Sequence, residues 1–166
     1  MLSLLAVALT LSLDAPQAQA PSPAAAPAPA LFISKEDHER ILKEQITKNV
    51  IDQPVKWGEV LGGLASVATL HRVKPEASSL IHDTMTETYY ILSGSGTLVT
   101  GGTITDVKPI DLTRLNAGLG KQGTRQGGVS QKVKPGDVIV IPAGTPHGFS
   151  ELDGPISYLV FRFLAK

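Results

Sequence analysis

Residue types that bind metal ions cluster in two short segments: His82 and Glu87 in IHDTMTETYYILSGSG, residues 81–96, and His147 in PGDVIVIPAGTPHGF, residues 135–149. On one continuous strand, a separation of five would send His82 and Glu87 to opposite faces, because side chains alternate. The intervening Asp83-Thr84-Met85-Thr86 is short and polar enough to be a turn. The expectation is therefore an antiparallel pair across which the two residues face each other, with Cβ atoms about 5 Å apart. At that distance an imidazole and a carboxylate can converge on one ion. His147 follows an aliphatic run, Val138 to Ile141, that is stopped by Pro142 and turned by Gly144 and Pro146. Pointing inward at the start of a new strand, it would be the third ligand. The plainer reading is a surface cross-strand pair worth about 0.2 to 1 kcal/mol and a structural histidine after a turn.

Alternation nominates further residues around such a centre. Tyr89 shares a face with Glu87 and can offer its phenol to a substrate, and Phe149 shares a face with His147 as an apolar wall. His71 is a fourth ligand or general base only if its strand aims it inward, a half-buried polar contact being the favoured alternative. Glu151, on the face of His147, reads as a solvated strand end, with reach to the pocket mouth as the alternative. Met85 is an ordinary gap-filler.

These residues need rigid strands to hold them. Short runs rich in Val, Ile, Thr, Tyr and Leu alternate with glycine and proline turns over 64–73, 79–82, 87–92, 97–100, 128–133, 138–141, 149–151 and 156–164. Many short strands separated by turn signals predict a β-sandwich or barrel. Ser93-Gly94-Ser95-Gly96 reads as a hairpin, and Lys134-Pro135-Gly136-Asp137 as a type II turn. Residues 108–127 read as a long loop. The terminal ISYLVFRFL, residues 156–164, is apolar on both faces and should be covered on two sides, by the core and by another layer or a partner subunit. Before the strands, Ser34 and Asp37 resemble a capping box that opens a helix to about Lys48, whose narrow apolar stripe places it on the surface.

The 166 residues, 42% hydrophobic, suit one domain with a proper core. Fifteen basic residues balance fifteen acidic ones, which removes the electrostatic footprint expected of a nucleic-acid or anionic-membrane binder. The apolar run from Leu2 to Leu13 is too short to span a bilayer, which takes roughly twenty residues. With the small-x-small site Ala18-Gln19-Ala20 it reads as a signal peptide over residues 1–20, although no Lys or Arg precedes the run. PSPAAAPAPA, residues 21–30, is an extended linker composition, leaving residues 31–166 as the folded domain. The expected location is periplasmic or secreted, with no membrane attachment after cleavage, and the absence of cysteine is compatible with it.

The two metal-ligand segments resemble the paired motifs of the cupin superfamily. His82, Glu87 and Gly94 stand at the spacing of the second histidine, the glutamate and the closing glycine of the first motif, and Gly136, Pro142, Gly144 and His147 match four fixed positions of the second. Leu80 replaces the first motif histidine, Lys74 the opening glycine, and Glu151 the terminal asparagine. By alternation Leu80 should point inward beside His82. The resemblance implies an all-β fold, a cupin-type double-sheet jelly-roll β-barrel carrying the N-terminal helix on its surface, and a homodimer formed through the apolar terminal strand. It also implies one divalent transition metal held by His82, Glu87 and His147. Two histidines and a carboxylate suit Fe(II) and are compatible with Mn, Ni or Zn; the competing reading is a cupin that has lost its metal with Leu80.

An open three-ligand metal has positions for water, substrate or dioxygen. The leading expectation is a metal-dependent enzyme of dioxygenase, isomerase or lyase type, acting on a small oxygen-containing or aromatic molecule with Glu87 and Tyr89 as catalytic groups. The alternative is a non-enzymatic module that binds a sugar or other small molecule.

Overall fold

Ser34 opens the helix as expected, its side-chain oxygen accepting from the Asp37 amide at 3.0 Å. Helix α1 (Lys35–Lys48) carries Glu36 and Asp37 in its first turn and Lys48 in its last, complementing the helix dipole, and ends at Asn49 in the left-handed conformation. The computed structural model describes residues 29–60 and 63–165. The segment expected to be a signal peptide (1–20) and the expected linker up to residue 28 lie outside the described residues.

The strands follow as β1 (Asp52–Val60), β2 (Gly63–Arg72), β3 (Ser79–His82), β4 (Met85–Ser93), β5 (Gly96–Thr100), β6 (Thr103–Asp111), β7 (Leu119–Gln126), β8 (Val129–Val133), β9 (Val138–Ile141), β10 (His147–Leu152) and β11 (Ile156–Ala165). They form two antiparallel sheets, one ordered β1-β2-β11-β4-β9 and the other β6-β7-β3-β10-β5-β8. Helix α1 packs on β1 and β2, anchored by buried Gln45, whose amide donates to the Ile51 and Thr69 carbonyls.

Two expected hairpins are not hairpins. β3 and β4 belong to different sheets, and so do β4 and β5. Both short links carry the chain across the sandwich instead of folding it back along one sheet. At the second link Gly94 has φ +76°, and a Cβ there would lie 2.1 Å from the Pro155 carbonyl oxygen, so only glycine fits. The type II turn at 134–137 is present, with Gly136 at φ +91° and the Asp137 amide donating to the Lys134 carbonyl.

The stretch 108–127 is not a long loop. β6 and β7 pair through most of it, joined by a 3-10 turn at Thr113–Leu115. Most of β6 is exposed on both faces, so no alternation of polar and apolar residues betrays the strand. β1 is likewise absent from the expected set. β11 lies between β2 and β4 with Ile156, Tyr158, Val160 and Arg162 turned inward and buried. On its outer face Phe161 and Phe163 remain 43% and 44% exposed, so that side is only partly covered within one chain.

Inward residues of both sheets form the core, with Ile91, Tyr158 and Val160 on one side and Leu98, Val133 and Phe149 on the other. Burying each large apolar side chain contributes about 1.5–3 kcal/mol. Cross-strand register then grades the interior from apolar to polar: Ile91 pairs with Tyr158, Tyr89 with Val160, and Glu87 with Arg162. The polar end of that gradient is where the metal-ligand candidates meet.

Candidate metal centre

His82, Glu87 and His147 are all buried, and one ligand atom from each lies within 4.8 Å of the others. Each arrives on a different element. His82 ends β3 and Glu87 lies near the start of β4 on the opposite sheet, while His147 opens β10 beside β3, paired with Leu80. The backbone fastens the two motif segments together, since the Gly144 amide donates to the His82 carbonyl at 2.8 Å.

Both imidazoles are oriented from behind. Nδ1 of His82 donates to the Ala117 carbonyl at 2.8 Å, and Nδ1 of His147 donates to the Thr145 carbonyl at 2.9 Å. A carbonyl can only accept, so each Nδ1 carries a proton and each ring turns its Nε2 inward. The rings lie 5.6 Å apart at 26°, with Nε2 of His82 3.4 Å from Glu87 Oε1 and Nε2 of His147 3.4 Å from Oε2. At that distance the contacts are electrostatic, and buried His147 Nε2 has no hydrogen-bond partner. An unprotonated Nε2 aimed at an anionic carboxylate repels it, so the cluster calls for positive charge between them, supplied by a proton or by a metal ion that takes its place. A buried Nε2 without a partner, on a ring whose Nδ1 is fixed by a carbonyl as is usual for ligating histidines, fits a divalent transition metal.

The electrostatics of the cluster carry the same demand for positive charge. Burial alone would raise the Glu87 carboxyl, yet His147, His82 and the Arg162 guanidinium hold it well below its ordinary value. Burial would lower His147, but the Glu87 carboxylate outweighs it and raises the imidazole.

Glu87 is also held on its outer side. Tyr89 Oη donates to Oε2 at 3.0 Å and Arg162 Nε donates to Oε1 at 2.8 Å. Burial and then the Glu87 charge push the Tyr89 phenol well above its ordinary value, so it keeps its proton. Arg162 and Asp52 were not among the expected site residues. Alternation held a signal for Arg162, a charged residue on the same face of β11 as Ile156, Tyr158 and Val160.

The centre opens into a cavity of about 810 Å³, within the usual range for small-molecule sites. Leu80, Ile110, Leu112 and Leu115 give it an apolar wall, and Gln122, cross-strand neighbour of Leu80, also lines it. Among the described residues no hydrogen-bond partner is found for the Gln122 carboxamide.

Three expected pocket residues fare differently. Leu80 lines the cavity as alternation required. Phe149 does not: it is fully buried in the core against Tyr158, with ring centroids 5.6 Å apart. It turns inward like His147, but two residues further along β10 the interior is already filled. His71 sits at the cavity margin on the opposite face of β2 from core residues Ala68 and Leu70, its Nδ1 2.9 Å from Ser157 Oγ. The register turns it away from the ligand cluster, and the half-buried polar contact is what the structure contains. Glu151 is exposed and accepts from Thr97, as a solvated strand end should.

The family model described as Cupin matches residues 56–151. The chain belongs to the cupin family. No curated protein matches this cupin. A Bacillus halodurans crystal structure is similar at 16% identity and a TM-score of 0.51, covering 83% of this chain and 84% of that one, a likeness of fold alone. The DMSP lyase DddQ of Ruegeria pomeroyi aligns at 17% identity and a TM-score of 0.40, over 61% of this chain and 39% of that one. This cupin therefore spans about two fifths of that lyase's length. A cupin superfamily protein of Desulfitobacterium hafniense aligns at 16% identity and a TM-score of 0.41, over 70% and 77% of the two chains.

Proposed function

We propose that this cupin holds one divalent transition metal between His82, Glu87 and His147 and acts as an enzyme on a small oxygen-containing molecule with an apolar body. The observation that carries the reading is the pair of carbonyl-tethered imidazoles with Nε2 aimed at Glu87, one of them without a hydrogen-bond partner. When bound, the ion supplies Lewis acidity towards a carbonyl or hydroxyl oxygen. The protein's part is to orient and to exclude water. Leu80, Ile110, Leu112 and Leu115 receive the apolar portion, and the Gln122 carboxamide offers a donor and an acceptor to a second polar group. Tyr89 keeps its proton and spends it on Glu87 Oε2, so it steadies the carboxylate first and reaches a substrate only by exchanging that bond.

Lyase, isomerase and dioxygenase chemistry all remain open to such a centre, because fold does not choose among them. The DMSP lyase among the structural neighbours is one example of what the fold can host. The second reading is a binding module that holds a sugar or other small ligand without turnover. Purified full-length protein, stripped of metal and reloaded with Fe(II), Mn(II), Ni(II) or Zn(II), should convert phenolic or sugar-derived substrates only in a loaded form. Equal binding to both forms with no conversion favours the module.

The remaining expectations belong to the same proposal. The two sheets are read as the family's jelly-roll barrel, the leader as a signal for export to the periplasm or beyond, and the outer face of β11, with Phe161 and Phe163 exposed, as the surface of a homodimer. A processed N-terminus in protein from the native host supports export, and a monomeric mass by light scattering removes the dimer.

A further inference from the structure

We infer that Arg162 is a positioning residue of the metal centre, which, braced by Asp52, holds the Glu87 carboxylate facing both imidazoles. The inference rests on the metal reading above. The Arg162 side chain is buried and engages three separate parts of the chain. Nε donates to Glu87 Oε1 at 2.8 Å, Nη1 donates to the Leu115 carbonyl at 2.9 Å, and Nη1 and Nη2 reach the two oxygens of Asp52 at 3.4 and 2.5 Å. Four of the five N–H groups are thereby directed, so the guanidinium cannot turn without losing several bonds at once.

The consequence falls on Glu87. A glutamate side chain has three rotatable bonds, and a metal ligand must spend them on one orientation. Here each oxygen has one outer partner, Arg162 on Oε1 and Tyr89 on Oε2, and each keeps a second lone-pair direction on the side of an imidazole. Arg162 is in turn immobilised by Asp52, at the start of β1, and by Leu115, in the 3-10 turn before β7. Charge supports the same role. Two carboxylates and one guanidinium, all largely buried, leave one negative charge in excess for a cation to neutralise.

A merely structural Arg162 would tie β1 to β11 without affecting metal affinity. Coulomb's law alone would make loss of its positive charge tighten metal binding. Weaker binding in a neutral variant therefore isolates orientation. The test is titration of the purified full-length chain with Mn(II) and Co(II), following Co(II) absorption in the visible, with circular dichroism as a check on folding. Arg162→Lys and Arg162→Met should weaken affinity by about 10- to 100-fold and shift the Co(II) bands. Asp52→Asn should weaken it in the same direction by less, and should add nothing in an Arg162→Met background.

Unchanged or tighter binding by folded Arg162→Met overturns the inference, as does an Asp52→Asn effect that persists undiminished without Arg162. Should neither Arg162 variant fold, Asp52→Asn alone decides, and wild-type affinity in it is fatal. Wild-type protein that binds neither ion removes the metal reading and this inference with it; wild-type binding matched by every variant removes only the inference.

Discussion

His82 and Glu87 face each other from opposite sheets, Nε2 to Oε1 at 3.4 Å. Five positions apart in the chain, they are brought together because the link at Asp83-Thr84 crosses the sandwich instead of reversing within one ladder. Two sheets that each contribute part of a centre clamp it between rigid surfaces. Several consequences can be measured.

Removing a ligand should remove the metal. His82→Ala, Glu87→Ala and His147→Ala should each lose most bound metal by elemental analysis of folded protein, while Leu80→Ala keeps it. Stoichiometric metal in folded His147→Ala would show that the ligand set is wrong.

Leu80 is paired with His147 in register and lines the cavity. Leu80→His should add an imidazole to the centre, raise metal affinity and narrow the space for an apolar ligand. An affinity equal to wild type in competition with a chelator would mean that residue 80 does not face the ion.

Acidity acts on the metal-free pair with opposite signs. Glu87 is held low, so its contribution to stability is complete above its ordinary value of 4.5 and is lost as pH falls through its folded value. His147 is held high, so its contribution is complete below its ordinary value of 6.5 and is lost as pH rises through its folded value. Metal-free protein should melt highest between these ordinary values and lower on the alkaline side. Metal must displace the His147 proton, so the rise in Tm on adding metal should grow as pH increases. A rise that is constant across this range would contradict the assignment.

Gly120 on β7 pairs with His82, and a Cβ there would stand 2.1 Å from the Ile81 carbonyl oxygen. Backbone would have to move, and His82 with it. Gly120→Ala should therefore reduce metal affinity without touching a ligand, whereas wild-type affinity would show that β3 can yield independently of its histidine.

Phe149 and His71 should separate core from margin. Phe149→Ala leaves a cavity in the fully buried core and should cost about 3–5 kcal/mol in denaturant unfolding. His71→Ala, at a partly exposed site, should leave metal content unchanged. Loss of metal from folded His71→Ala would return it to the ligand set.

The ligand candidates were legible in the sequence because metal chemistry needs particular side chains and because strand alternation is local: parity alone put Leu80 on the face of His82, Tyr89 on that of Glu87 and Phe149 on that of His147. The helix start at Ser34 and the turn at Pro135-Gly136 were legible for the same reason, since capping and positive φ are decided within a few residues. Partnership between strands is not local. Which sheet β3, β4 and β5 join depends on where distant strands offer free edges, so the links at 83–84 and 94–95 looked like hairpins and proved to be crossings. β6 and β7 stayed hidden because β6 is largely exposed on both faces and so carries no polar–apolar period. Tertiary structure likewise decided the depth of Phe149, the outward turn of His71, and the meeting of Asp52, Leu115 and Arg162 behind Glu87. Parity assigns a residue its side of a strand, but what waits on that side is set by chain folded in from up to 110 positions away.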